Sequence, residues 1–302
     1  MFSYILFKYR FLLLSSIIYI LYTINKYLIQ LKVCVCSIGK NENKYIREFA
    51  EHYKKYGVNK IFIYDNNDIN GENYENIIED YIKSSFIQII NIRGKQKMQY
   101  KAHNHCYMKN KKIYDWFIFY DMDEFIHLTN IKNIKNYLTN DRFKKCNVIY
   151  LNQVLHTDNE QIYYYNKSLF ERFPNSTLNF KREMGITKMI IRGNLINITI
   201  NDPHSIINEH QCNSIGKIIN KYDYTNFEEF YNDNYYYDHF PFKSSEEYLD
   251  KLKRGDAVYG ERNSFSVETF SLYFSVNKIT EAKLVYFETR TGINLTFYRN
   301  KL

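Results

Sequence analysis

Apolar and polar positions along the first 120 residues repeat with two different periods. Four short apolar runs, rich in β-branched and aromatic residues, predict buried strands at Leu31–Ser37, Asn59–Tyr64, Ile87–Ile92 and Asp115–Tyr120. Between these runs, apolar residues recur at helical spacing over Glu42–Tyr56, which predicts a helix there, and helices are also predicted at Tyr74–Lys83 and Gln99–Asn110. Strands and helices that alternate in this way predict the α/β fold class, with a mostly parallel central sheet and helices on both faces.

The pattern is less regular beyond about residue 145. Strand-like segments occur at Val148–Asn152, Gln161–Tyr165, Thr187–Ile191 and Ile196–Thr199, and a helical pattern covers Ser245–Lys253. The chain has only 10 Gly and 3 Pro, and no Gly/Pro-rich linker divides it. We therefore expect one domain over residues 31–302, in which the second half completes the sheet and covers the ligand site.

The N-terminal segment has a different character. Residues 11–24 form an uncharged apolar run of fourteen residues after Lys8 and Arg10. This run is shorter than the roughly 20 residues that a membrane-spanning helix needs, although snorkelling of Lys26 could extend it to Leu31. The pattern predicts an apolar helix within residues 1–30, either a signal anchor or a helix packed on the domain or on a membrane surface. We expect a membrane-associated protein, held through residues 11–31, and leave the side of the membrane open.

The charge balance limits the class of partner. The chain has 41 Lys+Arg and 33 Asp+Glu, a net charge of +8, and no run of five like charges occurs. A nucleic-acid-binding protein more often concentrates its basic residues on one element. The dispersed charge therefore suits a small anionic ligand or a solvated surface, and we expect no nucleic-acid partner.

Cysteines and glycosylation sequons leave the compartment open. Five cysteines cannot all pair within the chain, and the absence of a C-x-x-C pair argues against a zinc or redox site. Cys34 and Cys36 alternate on the first predicted strand, so we expect both to be ordinary buried thiols. Four N-x-S/T sequons begin at Asn166, Asn175, Asn197 and Asn294, and they matter only if the chain enters a secretory lumen.

The strongest local signal is an acidic motif that follows the fourth predicted strand. The apolar run ends in Asp121-Met122-Asp123-Glu124-Phe125. In an extended chain Asp121 and Asp123 would share one face, where two carboxylates repel unless a cation lies near them. A hard divalent ion such as Mg²⁺ or Mn²⁺, shared with substrate phosphates, satisfies that arrangement. The alternative is a solvated turn, or a helix cap formed by Asp121.

Polar residues also follow each of the other three predicted strands. They are Lys40, Asn41 and Glu42 after the first, Asp65 and Asn66 after the second, and Arg93 after the third. In open α/β sheets, ligands bind at the carboxyl ends of the strands. The sequence therefore predicts a ligand site at this edge, although Asp and Asn also favour simple turns and the arginine could be solvated.

Taken in order, these residues resemble one enzyme group: the metal-dependent, nucleotide-sugar glycosyltransferases of GT-A fold related to families 2 and 92. The D-x-D-E-[FY] form of the acidic motif carries the resemblance. Further blocks agree in order and spacing from about residue 32 to 256. They are Lys40–Glu42 with Tyr45-Ile46, His52–Gly57, Ile63–Asn66, Gln99–Cys106, His156–Asn159, Glu171–Phe173, Lys188–Arg192, Tyr237–His239 with Lys243-Ser244, and Lys251–Gly255.

This resemblance implies an activity and a set of site residues. Such enzymes move a sugar from a nucleoside-diphosphate sugar, here expected to be a UDP-sugar, to a hydroxyl of a glycan, glycoprotein or glycolipid. It implies Mn²⁺ or Mg²⁺ as cofactor, with Asp121, Asp123 and His239 as metal ligands and His204 as a weaker candidate. It implies donor binding by Glu42, Asp65, Asn66, Arg93, Asp121 and Lys243. For an inverting reaction the base would be Asp158, ahead of Glu160 and Glu171, unless Asp158 only caps a turn.

Two other functions compete with this expectation. A catalytically degenerate member of the same fold could bind carbohydrate or act as a scaffold, although its acids are intact. A strand that ends in D-x-D also resembles the phosphatases that use an aspartyl nucleophile. Those enzymes carry the motif near the start of the chain, with Thr or Val where this chain has Phe125. The acidic motif thus favours the glycosyltransferase.

Overall fold

The computed structural model describes residues 31–176, 186–202, 204–206, 210–219, 227–255 and 265–302. The N-terminal helix predicted within residues 1–30 lies outside the described residues. Within the ranges given above, no helix has both the length and the apolar character needed to cross a bilayer.

The described strands form one mixed sheet. They are β1 (Val33–Gly39), β2 (Lys60–Asp65), β3 (Ile87–Asn91), β4 (Trp116–Phe119), β5 (Glu124–Leu128), β6 (Val148–Leu155), β7 (Thr187–Arg192), β8 (Gln211–Asn213), β9 (Ile218–Ile219) and β10 (Tyr235–His239). Their order is β3-β2-β1-β4-β7-β6-β10-β5, with β8 paired to β6 and β9 to β8. Strands β3, β2, β1 and β4 are parallel, whereas β7 runs antiparallel to both of its neighbours. The carboxyl ends of the first four strands therefore meet at one edge.

Ten α-helical segments accompany the sheet. They are α1 (Ile46–Lys55), α2 (Glu79–Lys83), α3 (Gln99–Asn110), α4 (Ile134–Leu138), α5 (Leu169–Arg172), α6 (Phe227–Phe230), α7 (Ser245–Arg254), α8 (Ser271–Val276), α9 (Glu281–Thr291) and α10 (Thr296–Arg299) within the described ranges. Helix α7 begins at a capping box, in which Ser244 and Glu247 satisfy each other's backbone N–H groups. Helices α8, α9 and α10 pack against α7 in a separate apolar cluster.

The alternation of side chains along β1 divides the main core in two. Val33 and Val35 pack on the face covered by α1, whereas Cys34 and Cys36 pack on the face covered by α3. All seven residues of β1 are buried, as expected for a central strand with helices on both faces. The predicted α/β fold class is confirmed.

Element predictions succeed in the first half and fail in part of the second. The helix predicted at Gln99–Asn110 has those bounds, but the one predicted at Tyr74–Lys83 is helical only in α2. The strands predicted at Gln161–Tyr165 and Ile196–Thr199 are wrong. In the first segment the Tyr164 N–H donates to the Glu246 side chain over 2.8 Å rather than to a strand. The second segment has no strand, and the adjoining Ile200 N–H donates to the Asn104 side chain over 2.7 Å. Strands β5 and β10 were not predicted.

Two disulfides join distant parts of the described chain. Cys36 on β1 is bonded to Cys106 on α3, and Cys146 before β6 is bonded to Cys212 on β8. The expectation that Cys36 is a free thiol is therefore wrong, because α3 packs directly on that face and brings the two Cα atoms to 6.4 Å. Cys34 is a buried free thiol, as predicted.

Candidate functional site

The acidic motif forms a tight turn between β4 and β5. Asp121 N–H donates to the Glu124 carboxylate over 2.9 Å, and Glu124 N–H donates back to the Asp121 carbonyl over 3.1 Å. The expectation of an extended chain at this point is therefore corrected. Met122 at the tip is buried against Gly39, where a Cβ atom would lie 2.7 Å from the methionine Cε. The missing side chain of Gly39 thus lets the end of β1 approach the turn.

One side of the turn is neutralised by a buried lysine. Lys188 on β7 places Nζ 2.7 Å from Asp121 Oδ2 and 3.0 Å from Glu124 Oε2. Burial alone would lower the pKa of Lys188, but the two carboxylates outweigh it and raise that pKa. Burial would raise the pKa of Asp121, but the attraction of Lys188 lowers it, and the net result is a lowered pKa. Burial, opposed by Lys188 and reinforced by Asp121, raises the pKa of Glu124 to about 8.

Both oxygens of Asp121 already have donors within the protein. Oδ2 accepts from Lys188, and Oδ1 accepts from the Gln99 amide over 3.2 Å. Asp121 is therefore less available to a metal ion than its neighbour in the motif.

Among the described residues, the Asp123 carboxylate has fewer hydrogen-bond donors, although its side chain is less exposed (6%) than that of Asp121 (31%). Its Oδ2 lies 3.0 Å from Lys251 Nζ, and its Oδ1 lies 3.8 Å from His239 Nε2. Burial would raise the pKa of Asp123, but Lys251 in particular lowers it well below its usual range. The carboxylate is thus charged at neutral pH, and among the residues that the structure describes Lys251 is its one short hydrogen-bond donor.

His239 presents an unprotonated nitrogen to the acids. Its Nδ1 lies 2.9 Å from Gln153 Oε1, and because an amide oxygen only accepts, Nδ1 carries the proton. The Nε2 lone pair then faces Asp123 and Glu124, whose oxygens lie 3.8 and 3.9 Å away. Burial lowers the pKa of His239 to about 3, so the ring is neutral. Glu124, with its raised pKa, can offer a proton towards this lone pair, whereas the charged Asp123 cannot; a cation held between Asp123 and Nε2 would satisfy both of these groups.

These groups fit a divalent ion. An imidazole whose other nitrogen donates to a fixed acceptor is the arrangement found in metal-bound histidines, and Gln153 supplies that acceptor. Asp123 and His239 are close enough to share one ion. Within the described part of the chain, no group of three or more His, Cys, Asp or Glu side chains is already assembled as a metal site. Two protein ligands suit Mg²⁺ or Mn²⁺, which commonly complete their coordination with substrate phosphates and water.

The turn opens into a cleft of about 330 Å³ at the carboxyl ends of the strands. Of the predicted site residues, those that line it are Glu42, Asn66, Asp121, Asp123 and His239, together with the weaker candidate His204. His204 is fixed by its Nδ1, which donates to the Thr187 carbonyl over 2.8 Å. The structure thus brings together residues from the ends of β1, β2, β4 and β10.

Asp65 and Arg93 do not line the cleft; they bind each other beside it. Arg93 Nε lies 2.6 Å from Asp65 Oδ2, and Asp65 Oδ1 accepts two hydrogen bonds from Asn67. The Asp65–Arg93 pair lies behind the cleft wall, where it supports the loop that carries Asn66.

Lys243 also lies behind the wall. Its Nζ is 3.3 Å from Glu42 Oε2 and 4.2 Å from the centre of the Tyr45 ring. Arg254 binds the other oxygen of Glu42 over 2.7 Å. Lys243 lines a neighbouring cavity of about 640 Å³. Glu42 and Arg254 lie between Lys243 and the acids of the turn, Asp121 and Asp123.

Asp158, the base expected from the sequence, does not line the described part of the cleft. It is buried, with Oδ2 2.5 Å from Lys283 Nζ and a hydrogen bond from the Tyr273 hydroxyl. Its backbone N–H donates to Asn277 over 2.6 Å. Asp158 therefore anchors α8 and α9 to the sheet. The weaker candidates lie elsewhere as well: Glu171 caps α5, and Glu160 pairs with Lys278.

Several polar residues of the site were not assigned a role from the sequence. Among them are Gln99, Gln153, Lys188, Lys251 and Arg254. All of these except Gln153 stand in blocks that carry the family resemblance. Their position in those blocks was the sequence signal that could have assigned them to the site. Their partners became visible only with the fold.

A buried histidine beneath the cleft predicts a pH effect on stability. His103 on α3 is fully buried, neither ring nitrogen has a hydrogen-bond partner among the described residues, and burial lowers its pKa to about 4. The unfolded chain takes up the proton near pH 6.5, so stability should fall as the pH drops from about 6.5 to 4. Between pH 7 and pH 5, the free energy of unfolding should fall by about 2 kcal/mol less in the His103→Leu variant than in the wild-type protein.

Urea unfolding at the two pH values measures this difference. His105→Leu is the matched control, because His105 is exposed on the same helix. An unchanged pH dependence in the His103 variant would contradict the prediction.

Comparisons with known proteins agree with the order of the motifs. Residues 29–256 match glycosyltransferase family 92. Three family 92 proteins are similar: one from Ricinus communis (27% identical over 126 residues), one from Oryza sativa subsp. japonica (28% over 108) and one from Arabidopsis thaliana (30% over 96). These matches cover 42%, 36% and 32% of this chain, but only 22%, 18% and 16% of those proteins.

Similar solved structures are more distant. Residues 1–349 of S. aureus TarS in complex with UDP match 54% of this chain and 47% of that chain, with 14% identity and a TM-score of 0.34. A UDP-glucose pyrophosphorylase complexed with UDP-glucose matches 73% of this chain and 97% of that chain, with 11% identity and a TM-score of 0.26.

Proposed function

Because the chain belongs to glycosyltransferase family 92, we propose that it transfers a sugar from a nucleoside-diphosphate sugar to a hydroxyl of a glycan, glycoprotein or glycolipid. We favour a UDP-sugar as donor and a divalent-metal-dependent, inverting reaction. One observation carries the proposal: the cleft at the strand ends, in which Asp123 and the free nitrogen of His239 face each other.

The charged residues of the cleft suit a leaving diphosphate. Asp123 and His239 would hold Mn²⁺ or Mg²⁺, which when bound supplies a Lewis acid for the departing phosphate oxygens. Lys251 and Arg254 line the same cleft and offer further positive charge to phosphate oxygens. Asn66 and Glu42, after the ends of β2 and β1, line the same cleft and would bind the nucleoside. Asp121, held by Lys188 and Gln99, would orient the turn that carries Asp123.

We infer that the base of an inverting reaction is a group other than the three acids expected from the sequence. Asp158, Glu160 and Glu171 are all absent from the described lining of the cleft. An inverting reaction would therefore need another residue, or a group of the acceptor, to take the hydroxyl proton.

Nucleotide release from a panel of donors tests the proposal. The full chain is incubated with UDP-glucose, UDP-galactose, UDP-GlcNAc and GDP-mannose, with Mn²⁺ or with EDTA. We expect Mn²⁺-dependent release of the nucleoside diphosphate from one UDP-sugar. Carbohydrate binding without release from any donor would favour the scaffold alternative, and hydrolysis of simple phosphate esters would favour the phosphatase.

We further propose that residues 11–31 associate the protein with a membrane and that the domain faces an oxidising lumen. The two disulfides support this placement, because such bonds are rare in reducing compartments. The sequon asparagines at 166, 175, 197 and 294 are all exposed. Glycosidase digestion should lower the mass of the protein isolated from its source. An unchanged mass together with reduced cysteines would contradict this placement.

A further inference from the structure

A lysine at the end of α7 occupies one side of the candidate metal ligand. Lys251 Nζ lies 3.0 Å from Asp123 Oδ2 and 3.2 Å from the Pro241 carbonyl oxygen. About a third of its side chain is exposed (34%), whereas the Asp123 side chain is buried (6%). The ammonium group therefore reaches the carboxylate from the solvent side. It can leave Asp123 without disturbing the core.

The two carboxylate oxygens of Asp123 face different groups. Oδ2 binds Lys251, and Oδ1 faces His239 Nε2 at 3.8 Å. An ion shared by Asp123 and His239 would add two positive charges within a few ångströms of the Lys251 ammonium. Repulsion at that range exceeds the thermal energy several-fold even at an effective dielectric constant of about 20. A bound ion and Lys251 therefore compete for the same carboxylate.

The second lysine of the site differs in this respect. Lys188 is only 1% exposed and is fixed between Asp121 and Glu124, at 2.7 and 3.0 Å. Leaving that position would strand a charge in the interior, which is strongly unfavourable. The site thus combines a fixed lysine beside Asp121 with a movable one beside Asp123.

We propose that Lys251 neutralises Asp123 in the free protein and moves to the donor diphosphate when the metal ion binds. This inference rests on the proposed function. Without nucleotide, displacement of the ammonium costs its ion pair with Asp123, so the metal ion binds weakly. With a diphosphate in the cleft, the ammonium gains phosphate oxygens as acceptors. The metal ion and the nucleotide therefore bind cooperatively, because each favours the same displaced position of Lys251.

Replacing Lys251 by glutamine should have two effects of opposite sign. Mn²⁺ affinity without nucleotide should rise by about tenfold or more, because Asp123 loses its competing cation. UDP affinity at saturating Mn²⁺ should fall by about three- to tenfold, because a phosphate contact is lost. Electron paramagnetic resonance of free Mn²⁺ and calorimetric titration of UDP, both on the full chain, measure the two constants. A residue that only stabilised α7 would not raise metal affinity.

Matched variants make the result specific. Lys251→Arg keeps the charge and should not show the rise, and Lys253→Gln removes an exposed lysine from the same helical turn and should change neither constant. Adding Asp123→Asn to Lys251→Gln should abolish the gained Mn²⁺ affinity.

The outcomes separate this inference from the proposed function. If wild-type protein binds Mn²⁺ with UDP but Lys251→Gln shows no rise without nucleotide, the role of Lys251 is overturned and the metal site remains. If wild-type protein binds no Mn²⁺ even with UDP, the metal-dependent function and the role of Lys251 both fail.

Discussion

Replacing Asp123 by asparagine should reduce sugar transfer by about a thousandfold or more and abolish its dependence on Mn²⁺. The amide keeps the size of the side chain and can still accept the hydrogen bond from Lys251. It loses the negative charge that would hold the ion against His239, whose Nε2 lies 3.8 Å away. The measurement is the initial rate of nucleotide release as a function of Mn²⁺ concentration.

Asp68→Asn is the matched control for this variant. Asp68 also lines the cleft, but its side chain is 59% exposed and pairs with Lys40 at 2.8 Å. We expect the rate of the control to change less than about threefold, because an exposed ion pair contributes little. Equal losses in the two variants, or full activity of Asp123→Asn, would remove the metal role from Asp123.

Replacing Asp158 by asparagine should destabilise the fold by about 3–5 kcal/mol, because it leaves Lys283 charged and unpaired in the interior. Lys283 Nζ is 2.5 Å from Asp158 Oδ2, and both side chains are almost completely buried. The donor dissociation constant and the rate of the remaining folded protein at low temperature should stay near wild type. Denaturant unfolding and single-temperature kinetics measure the two effects.

The double variant Asp158→Asn with Lys283→Met distinguishes structure from catalysis. Removing the stranded charge should restore part of the lost stability, since an apolar replacement of a buried pair is often neutral or better. A catalytic base predicts the reverse pattern: a rate that falls by about 10²–10⁴-fold in both variants, with little change in stability.

The parallel half of the sheet could be predicted because its signals are local. Each strand from β1 to β4 is a short apolar run, and helix α1 carries its apolar residues on one face within ten residues. The placement of Glu42, Asn66 and Asp123 at one edge then follows from the geometry of parallel strands. Strand β5 was missed because its first residue, Glu124, belongs to the acidic motif and was assigned to the site instead.

The remaining features depend on partners far apart in the chain. The residues around Asp158 are equally compatible with a turn, a catalytic base or a buried ion pair. The ion pair becomes evident only from the packing of α9, which carries Lys283. Cys36 and Cys106 are 70 residues apart, so their pairing required the contact between β1 and α3. The contacts of Lys188 and Lys251 with the acidic turn likewise join elements from opposite halves of the chain.

Diffraction from crystals of the full chain with Mn²⁺ and UDP, recorded at a wavelength where manganese scatters anomalously, tests the central assignment most directly. The expected result is one anomalous peak about 2–2.3 Å from both the Asp123 carboxylate and His239 Nε2, with the diphosphate bound to the same ion. A nucleotide bound in the cleft with no peak between those two side chains would contradict the assignment.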